Sequence, residues 1–151
     1  MRQGRCPSYI QPDFPGTVPG LEEAMRGESG AIVFYSYLID MAPDERQRRV
    51  LMSIRSDEER HLNNFQAVYC QYTGSTYRVP TPDVRPPETY LDGLERAFQD
   101  EQEAYEFYKA NYEGNRNPRI KQAFFDAMLD EAEHARWFNN IILLTHHQHM
   151  P

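Results

Sequence analysis

Two short motifs in the chain pair residue types that bind hard metal ions: Glu58-x-x-His61 and Glu131-x-x-His134. Residues three apart on a helix share a face, so each motif can offer a carboxylate and an imidazole to one point. Thirty residues upstream of each motif stands a further glutamate, Glu28 and Glu101 respectively. Carboxylate oxygens with imidazole nitrogens suit iron or manganese, and the lack of thiolates in the pattern argues against a soft-metal site. A single ExxH reads more readily as part of a solvated helix face, where it is common by chance. Two copies, each with its own glutamate at the same spacing, favour the metal. His61 and His134 are also the only histidines ahead of the C-terminal stretch THHQHMP, whose His146, His147 and His149 read as a solvated end that can bind metal adventitiously.

The pattern belongs to a longer repeat. Glu28, Glu58 and His61 recur 73 residues later without a gap, and so do Leu21, Ala24, Ala31, Phe34, Tyr35, Arg46, Asp57 and Phe65. Solenoids repeat at shorter periods and in more copies, so two copies of this length suggest two helical hairpins packed into one bundle.

The elements that must position these residues can be read from periodicity and punctuation. The first twenty residues are rich in Pro and Gly and read as an extended arm, residues 1–20. Helix 1 is expected from about Leu21 to Asp40, with apolar residues at three- and four-residue steps. Pro43, followed by Asp44 and Glu45, is expected to open helix 2, which continues to about Tyr72. The stretch from Thr73 to about Pro87 is too proline-rich for a helix and too long for a tight turn, so it must cross the bundle. Helix 3 is expected from about Glu88 to Tyr112. After the turn Glu113-Gly114-Asn115-Arg116, Asn117-Pro118 would start helix 4, which reaches about Leu144. The predicted architecture is all-α: a four-helix bundle over residues 21–145, two short hairpins joined by one long crossover, with a tail at 146–151.

Helix rise then decides whether the six residues meet. At about 1.5 Å per residue the chain climbs about 18 Å from Glu28 to Asp40 and descends a similar distance from Asp44 to Glu58. The two carboxylates finish at one height, and the same holds for Glu101 and Glu131. Four buried carboxylates without cations would cost many kcal/mol through desolvation and repulsion, and two divalent ions would cancel their charge. Asp57 and Asp130, four residues before the histidines, are placed to support an imidazole N–H from outside the ligand set, or else are exposed helix acids. Tyr35 and Tyr108, seven residues after Glu28 and Glu101, are the candidate catalytic residues. They can hydrogen-bond the ligand carboxylates, or serve as core aromatics.

Composition sets outer limits. A chain of 151 residues with 40% hydrophobic residues is one ordinary globular domain. A net charge of −7 argues against nucleic-acid binding of the usual basic kind. No apolar run reaches a membrane helix and the start has no signal-peptide core, so a cytoplasmic location without membrane association is expected. Cys6 and Cys70 form no metal-binding spacing and read as free thiols.

These residues resemble the ferritin-like di-iron carboxylate family, whose paired Glu and ExxH residues project inward from a bundle. Within it the chain is most similar to the rubrerythrins, on Gly27-Glu28-Ser29 followed by Tyr35 and Tyr37, and on Asp-Glu-x-x-His in both later helices. The resemblance covers about residues 20 to 144. It implies a centre of two iron ions, or manganese, held by Glu28, Glu58, His61, Glu101, Glu131 and His134. It also implies reduction of hydrogen peroxide or dioxygen, a separate electron-donor protein, and a homodimer. Manganese catalase-like dismutation and iron storage are alternative readings of the same site, and a metal-free interaction bundle is a further one. The chain departs from the family in lacking a four-cysteine rubredoxin-like domain. It also carries Ala104 where rubrerythrins place an extra glutamate on helix 3.

Overall fold

A computed structural model of the chain describes residues 15–147. Four helices follow one another: α1 (Thr17–Met41), α2 (Glu45–Thr73), α3 (Tyr90–Gly114) and α4 (Pro118–His147). The connections are short within each hairpin, and residues 74–89 form the long link between them. The fold is a four-helix bundle with no strand among the described residues.

Local chemistry explains the helix ends and corrects several expected boundaries. α1 begins at Thr17, so residues 17–20 are helical and not part of an extended arm. Pro19 lies in the first turn, where a missing N–H costs nothing. The N–H of Gly20 donates to the carbonyl of Gly16 at 2.9 Å and closes that turn. α2 opens one residue after Asp44, not at Pro43, because the Asp44 carboxylate accepts the Gln47 N–H at 2.8 Å and so acts as the N-cap. Gly74 ends α2 in the left-handed region, φ 76°, with its N–H on the Cys70 carbonyl. α3 starts at Tyr90 behind Thr89, whose hydroxyl accepts the Asp92 N–H at 3.1 Å. It runs on through Gly114, so the turn is shorter than expected. Asn117 caps α4, its side-chain oxygen accepting from the N–H groups of Arg119 and Ile120. α4 continues past Leu144 to His147. Cys70, expected as a free thiol, is disulfide-bonded; Cys6 and His149 lie outside the described residues.

Equivalent helices of the two hairpins pack antiparallel. Gly20 of α1 lies against Asn111 of α3, and Leu38 near the end of α1 lies against Gly93 near the start of α3. Gly20 and Gly93 are themselves 73 residues apart, a repeat pair that the ligand spacing does not flag. This arrangement is a local two-fold axis across the bundle. The apolar core is correspondingly split in two. One cluster holds Leu21, Phe65 and Tyr108, the other their repeat mates Leu94, Phe138 and Tyr35. Between the clusters lies a buried polar layer.

The glycines allow a direct test. A Cβ on Gly93 would sit 2.4 Å from Leu38 Cδ2 and 2.9 Å from Pro87 Cγ, and Leu38 is fully buried. Gly93→Ala is expected to cost about 1–3 kcal/mol through overpacking. Gly27, also helical, has nothing within 4 Å of such a Cβ. Gly27→Ala is expected to gain about 0.5–1 kcal/mol from reduced chain entropy. Denaturant midpoints displaced in the same direction by both variants would contradict this packing.

The link between the hairpins is fastened to both α1 and α2. The guanidinium of Arg26 donates to the Tyr77 hydroxyl at 2.7 Å, and the Gln66 amide donates to the Tyr77 carbonyl at 2.9 Å. Val84 passes the outer side of α1, within 3.8 Å of where a Cβ on Gly30 would stand. None of the helices is long and apolar enough to cross a membrane.

Candidate metal centre

The polar layer contains all six residues singled out by spacing. Glu28, Glu58, His61, Glu101, Glu131 and His134 are each 1–2% exposed. They fall into two groups whose donor atoms lie within 4.8 Å of one another: Glu28, Glu58, His61 and Glu131, and Glu58, Glu101, Glu131 and His134. Glu58 and Glu131 belong to both groups, while each remaining Glu–His pair serves one. Spacing alone treats the four glutamates as equals; the fold separates two shared carboxylates from two private ones.

Each imidazole presents Nδ1 to the cluster. His61 Nδ1 lies 3.1 Å from Glu58 Oε2, 3.2 Å from Glu131 Oε1 and 3.5 Å from Glu28 Oε1. His134 Nδ1 lies 3.1 Å from Glu58 Oε1, 3.5 Å from Glu131 Oε2 and 3.6 Å from Glu101 Oε1. The two rings stack at 6.2 Å between centroids.

The supporting contacts cross between the hairpins. His61 Nε2 donates to Asp130 at 2.9 Å, and His134 Nε2 donates to Asp57 at 3.1 Å. Each aspartate therefore serves the histidine of the facing helix, not the one four residues on in its own. A carboxylate can only accept, so each Nε2 carries a proton, and Nδ1 is the nitrogen turned toward the cluster. The tyrosines cross in the same way. Tyr35 donates to Glu101 Oε1 and Tyr108 to Glu28 Oε1, both at 2.5 Å. Seven residues of helix put a tyrosine about 10 Å from the glutamate of its own helix, beyond bonding reach. The antiparallel partner brings the other glutamate back to it.

Electrostatics follow from burial among these groups. Burial, reinforced by the charge on Glu58, pushes the carboxyls of Glu28 and Glu131 well above the usual range. Burial works the same way on Glu58, but the two imidazoles outweigh it and hold this carboxyl down at about 2. Burial also opposes charge on His61 and His134, and the surrounding carboxylates overcome it, raising both far above the ordinary histidine range. Tyr35 and Tyr108 are raised by burial and by the neighbouring glutamates, so both remain donors.

The donor set fits two divalent cations. Glu58 Oε1, Glu131 Oε1 and His134 Nδ1 are buried without a hydrogen-bond partner, although other donors and acceptors of the cluster lie close by. Glu58 Oε1 and His134 Nδ1 face one another in one group and Glu131 Oε1 faces His61 in the other, and orphaned buried polar atoms of this kind are costly unless a cation satisfies them. Four carboxylates would neutralise two such ions. Glu103 plays no part in the cluster; it is exposed and accepts from the Gln99 amide at 2.9 Å, while Ala104 lies near the carboxylates.

A cleft of about 270 Å³ reaches the four glutamates from between α1 and α3. Ala31, Ala104, Phe34 and Val84 supply apolar walls, and Arg26 and Arg96 also line it. Phe34 is capped by the Arg96 guanidinium at 4.2 Å.

Because the tyrosine bonds cross, their removal should have crossed effects. Tyr108→Phe is expected to weaken the ion held by Glu28 by about tenfold or more, as for other supporting contacts of metal ligands. Tyr35→Phe should act on the ion held by Glu101. Stepwise chelator competition checks this, and identical effects of both variants on a single step would rule it out.

Comparison with known proteins adds family evidence. The family model for rubrerythrin matches residues 20–142. An uncharacterised protein of Bacillus subtilis (strain 168), YhjR, is 36% identical over 124 residues, covering 82% of this chain and 85% of that protein. The structure of a hypothetical protein from Pyrococcus furiosus superposes with a TM-score of 0.76 at 21% identity, covering 89% of this chain and 93% of that one. This last likeness bears on the fold alone.

Proposed function

Since the chain belongs to the rubrerythrin family, we propose that it is a di-iron oxidoreductase that reduces hydrogen peroxide or dioxygen with electrons from a separate donor protein. The observation that carries this reading is the pair of buried Glu/His groups sharing Glu58 and Glu131. Glu28 and His61 would hold one ion and Glu101 and His134 the other, with Glu58 and Glu131 available to both. Iron held there would supply two electrons for cleavage of the peroxide O–O bond, two protons from solvent would complete two waters, and the donor protein would return the electrons.

The protein's own residues do the rest. The α1–α3 cleft admits a small molecule to the carboxylate side of the centre. Tyr35 and Tyr108 hold Glu101 and Glu28 in place through hydroxyls that stay protonated. Phe65 and Phe138, both fully buried, pack against the rings of Tyr108 and Tyr35 respectively.

The test is to load the protein anaerobically with ferrous iron and mix it with peroxide. Oxidation faster than that of free ferrous iron under the same conditions is expected; equal rates would sink the proposal. The carboxylate-rich donor set also accepts manganese. Sustained oxygen release from peroxide without a reductant would therefore move the reading to a manganese dismutase. A large closed shell in solution, with slow peroxide chemistry, would move it to iron storage.

A further inference from the structure

On the α2–α4 face, opposite the cleft, one cation joins the supports of both histidines. Arg60 donates through Nη2 to Asp130 Oδ2 at 2.7 Å and through Nη1 to Asp57 Oδ1. Asp130 accepts from His61 and Asp57 from His134. A single guanidinium therefore spans two carboxylates, each of which fixes one imidazole. The fork suits this task, because its donors diverge in a rigid plane and can serve two acceptors at once.

The clasp has no twin. The repeat position of Arg60 is Glu133, whose carboxylate pairs with Arg136 one turn along the same helix. The otherwise symmetric layer thus has a one-sided cation that touches both of its halves. The aspartates are partly exposed, at 28% and 35% of their side chains, and Arg60 at 52%, so the clasp itself is open to solvent.

We propose that Arg60 is a positioning residue for both halves of the centre: by clasping Asp57 and Asp130 it holds the His61 and His134 rings in register as one unit. The inference that it tunes a metal pair rests on the function proposed above; the coupling of the two rings does not. Charge neutralisation is the second part of its role. Without the guanidinium, the aspartates would draw more strongly on the Nε2 protons, make both imidazoles more electron-rich and favour the oxidised state of a bound ion.

Arg60→Ala, Arg60→Lys and Arg136→Ala in the full chain test this. Exchange of the two imidazole Nε2–H protons is read by NMR on the diamagnetic protein, with zinc if the chain takes it up and metal-free if not. In Arg60→Ala both protons should exchange about two- to fivefold faster, the size expected for loss of an exposed ion pair at each aspartate. Arg60→Lys should protect one ring only, since an ammonium cannot fork across two carboxylates. Arg136→Ala should change neither. No change in Arg60→Ala, or a change confined to one ring, overturns the proposal. In iron-loaded protein the midpoint potential should fall in Arg60→Ala and recover in Arg60→Lys; an unchanged potential overturns the tuning role. Failure of the wild type to take up ferrous iron would instead count against the function proposed above and leave the NMR result standing.

Discussion

Glu58→Ala is expected to strip both ions from the chain, reducing about two bound ions to nearly none, whereas Glu28→Ala should remove only one. Glu58 shares donors with both groups, its Oε1 facing His134 and its Oε2 facing His61 at 3.1 Å each. Glu28 touches only the His61 group. Losing a private carboxylate leaves the other ion with its own Glu, its own His and both shared carboxylates. Losing Glu58 removes a negative ligand from each ion at once and leaves the repulsion between the two ions less screened. Metal quantitation on purified protein gives the answer directly. Two ions retained in Glu58→Ala, or both lost in Glu28→Ala, would show that the private and shared roles are assigned wrongly.

Metal removal should change the stability of the chain in a pH-dependent way. In the metal-free protein Glu28 and Glu131 have raised folded-state values, so their protonated forms stabilise the fold fully below the unfolded value of 4.5, and this contribution fades as pH rises through the raised values. His61 and His134 are raised as well. Their contribution is complete below 6.5 and is lost progressively as pH climbs toward their folded values. Glu58 has the opposite sign: its contribution is present above 4.5 and disappears as pH falls toward about 2. Metal-free protein should therefore melt highest near pH 4.5 and lose stability on both sides. A bound ion replaces the buried protons, so its affinity should rise with pH. The gap between loaded and metal-free melting temperatures should widen from pH 6 to pH 8; at about thousandfold saturation a bound ion contributes about 4 kcal/mol in all. A constant gap across that range would mean that protons and metal do not compete for the layer.

Much of this site is legible in the sequence because helix geometry converts spacing into height. Glu28 and Glu58 meet because a nearly equal number of residues rises and falls on either side of the first turn, and the 73-residue offset carries the same count to Glu101 and Glu131. What spacing cannot supply is how one hairpin faces the other. The crossed bonds of Asp57 to His134 and of Tyr35 to Glu101 depend on antiparallel packing of equivalent helices, which no count within one helix reveals. Arg60 escapes notice for the same reason: its repeat mate is a glutamate, so it looks like an unpaired surface charge until α4 is set beside α2. The helix starts depart from expectation where a side-chain cap outranks proline as punctuation, as Asp44 does over Pro43. Gly20 and Gly93 are identical at the 73-residue offset, but only contact with Asn111 and Leu38 gives that identity a meaning.

The crossed bonds also bear on how the centre assembles. Since each tyrosine and each aspartate serves the opposite hairpin, neither hairpin alone carries a supported pair of ligands, and two separate half-chains would have to find one another before either could hold an ion well. The link over residues 74–89 turns that encounter into an intramolecular one, with an effective local concentration on the order of millimolar. Assembly of the centre is then first order in chain, so dilution of the protein leaves the fraction of complete sites unchanged.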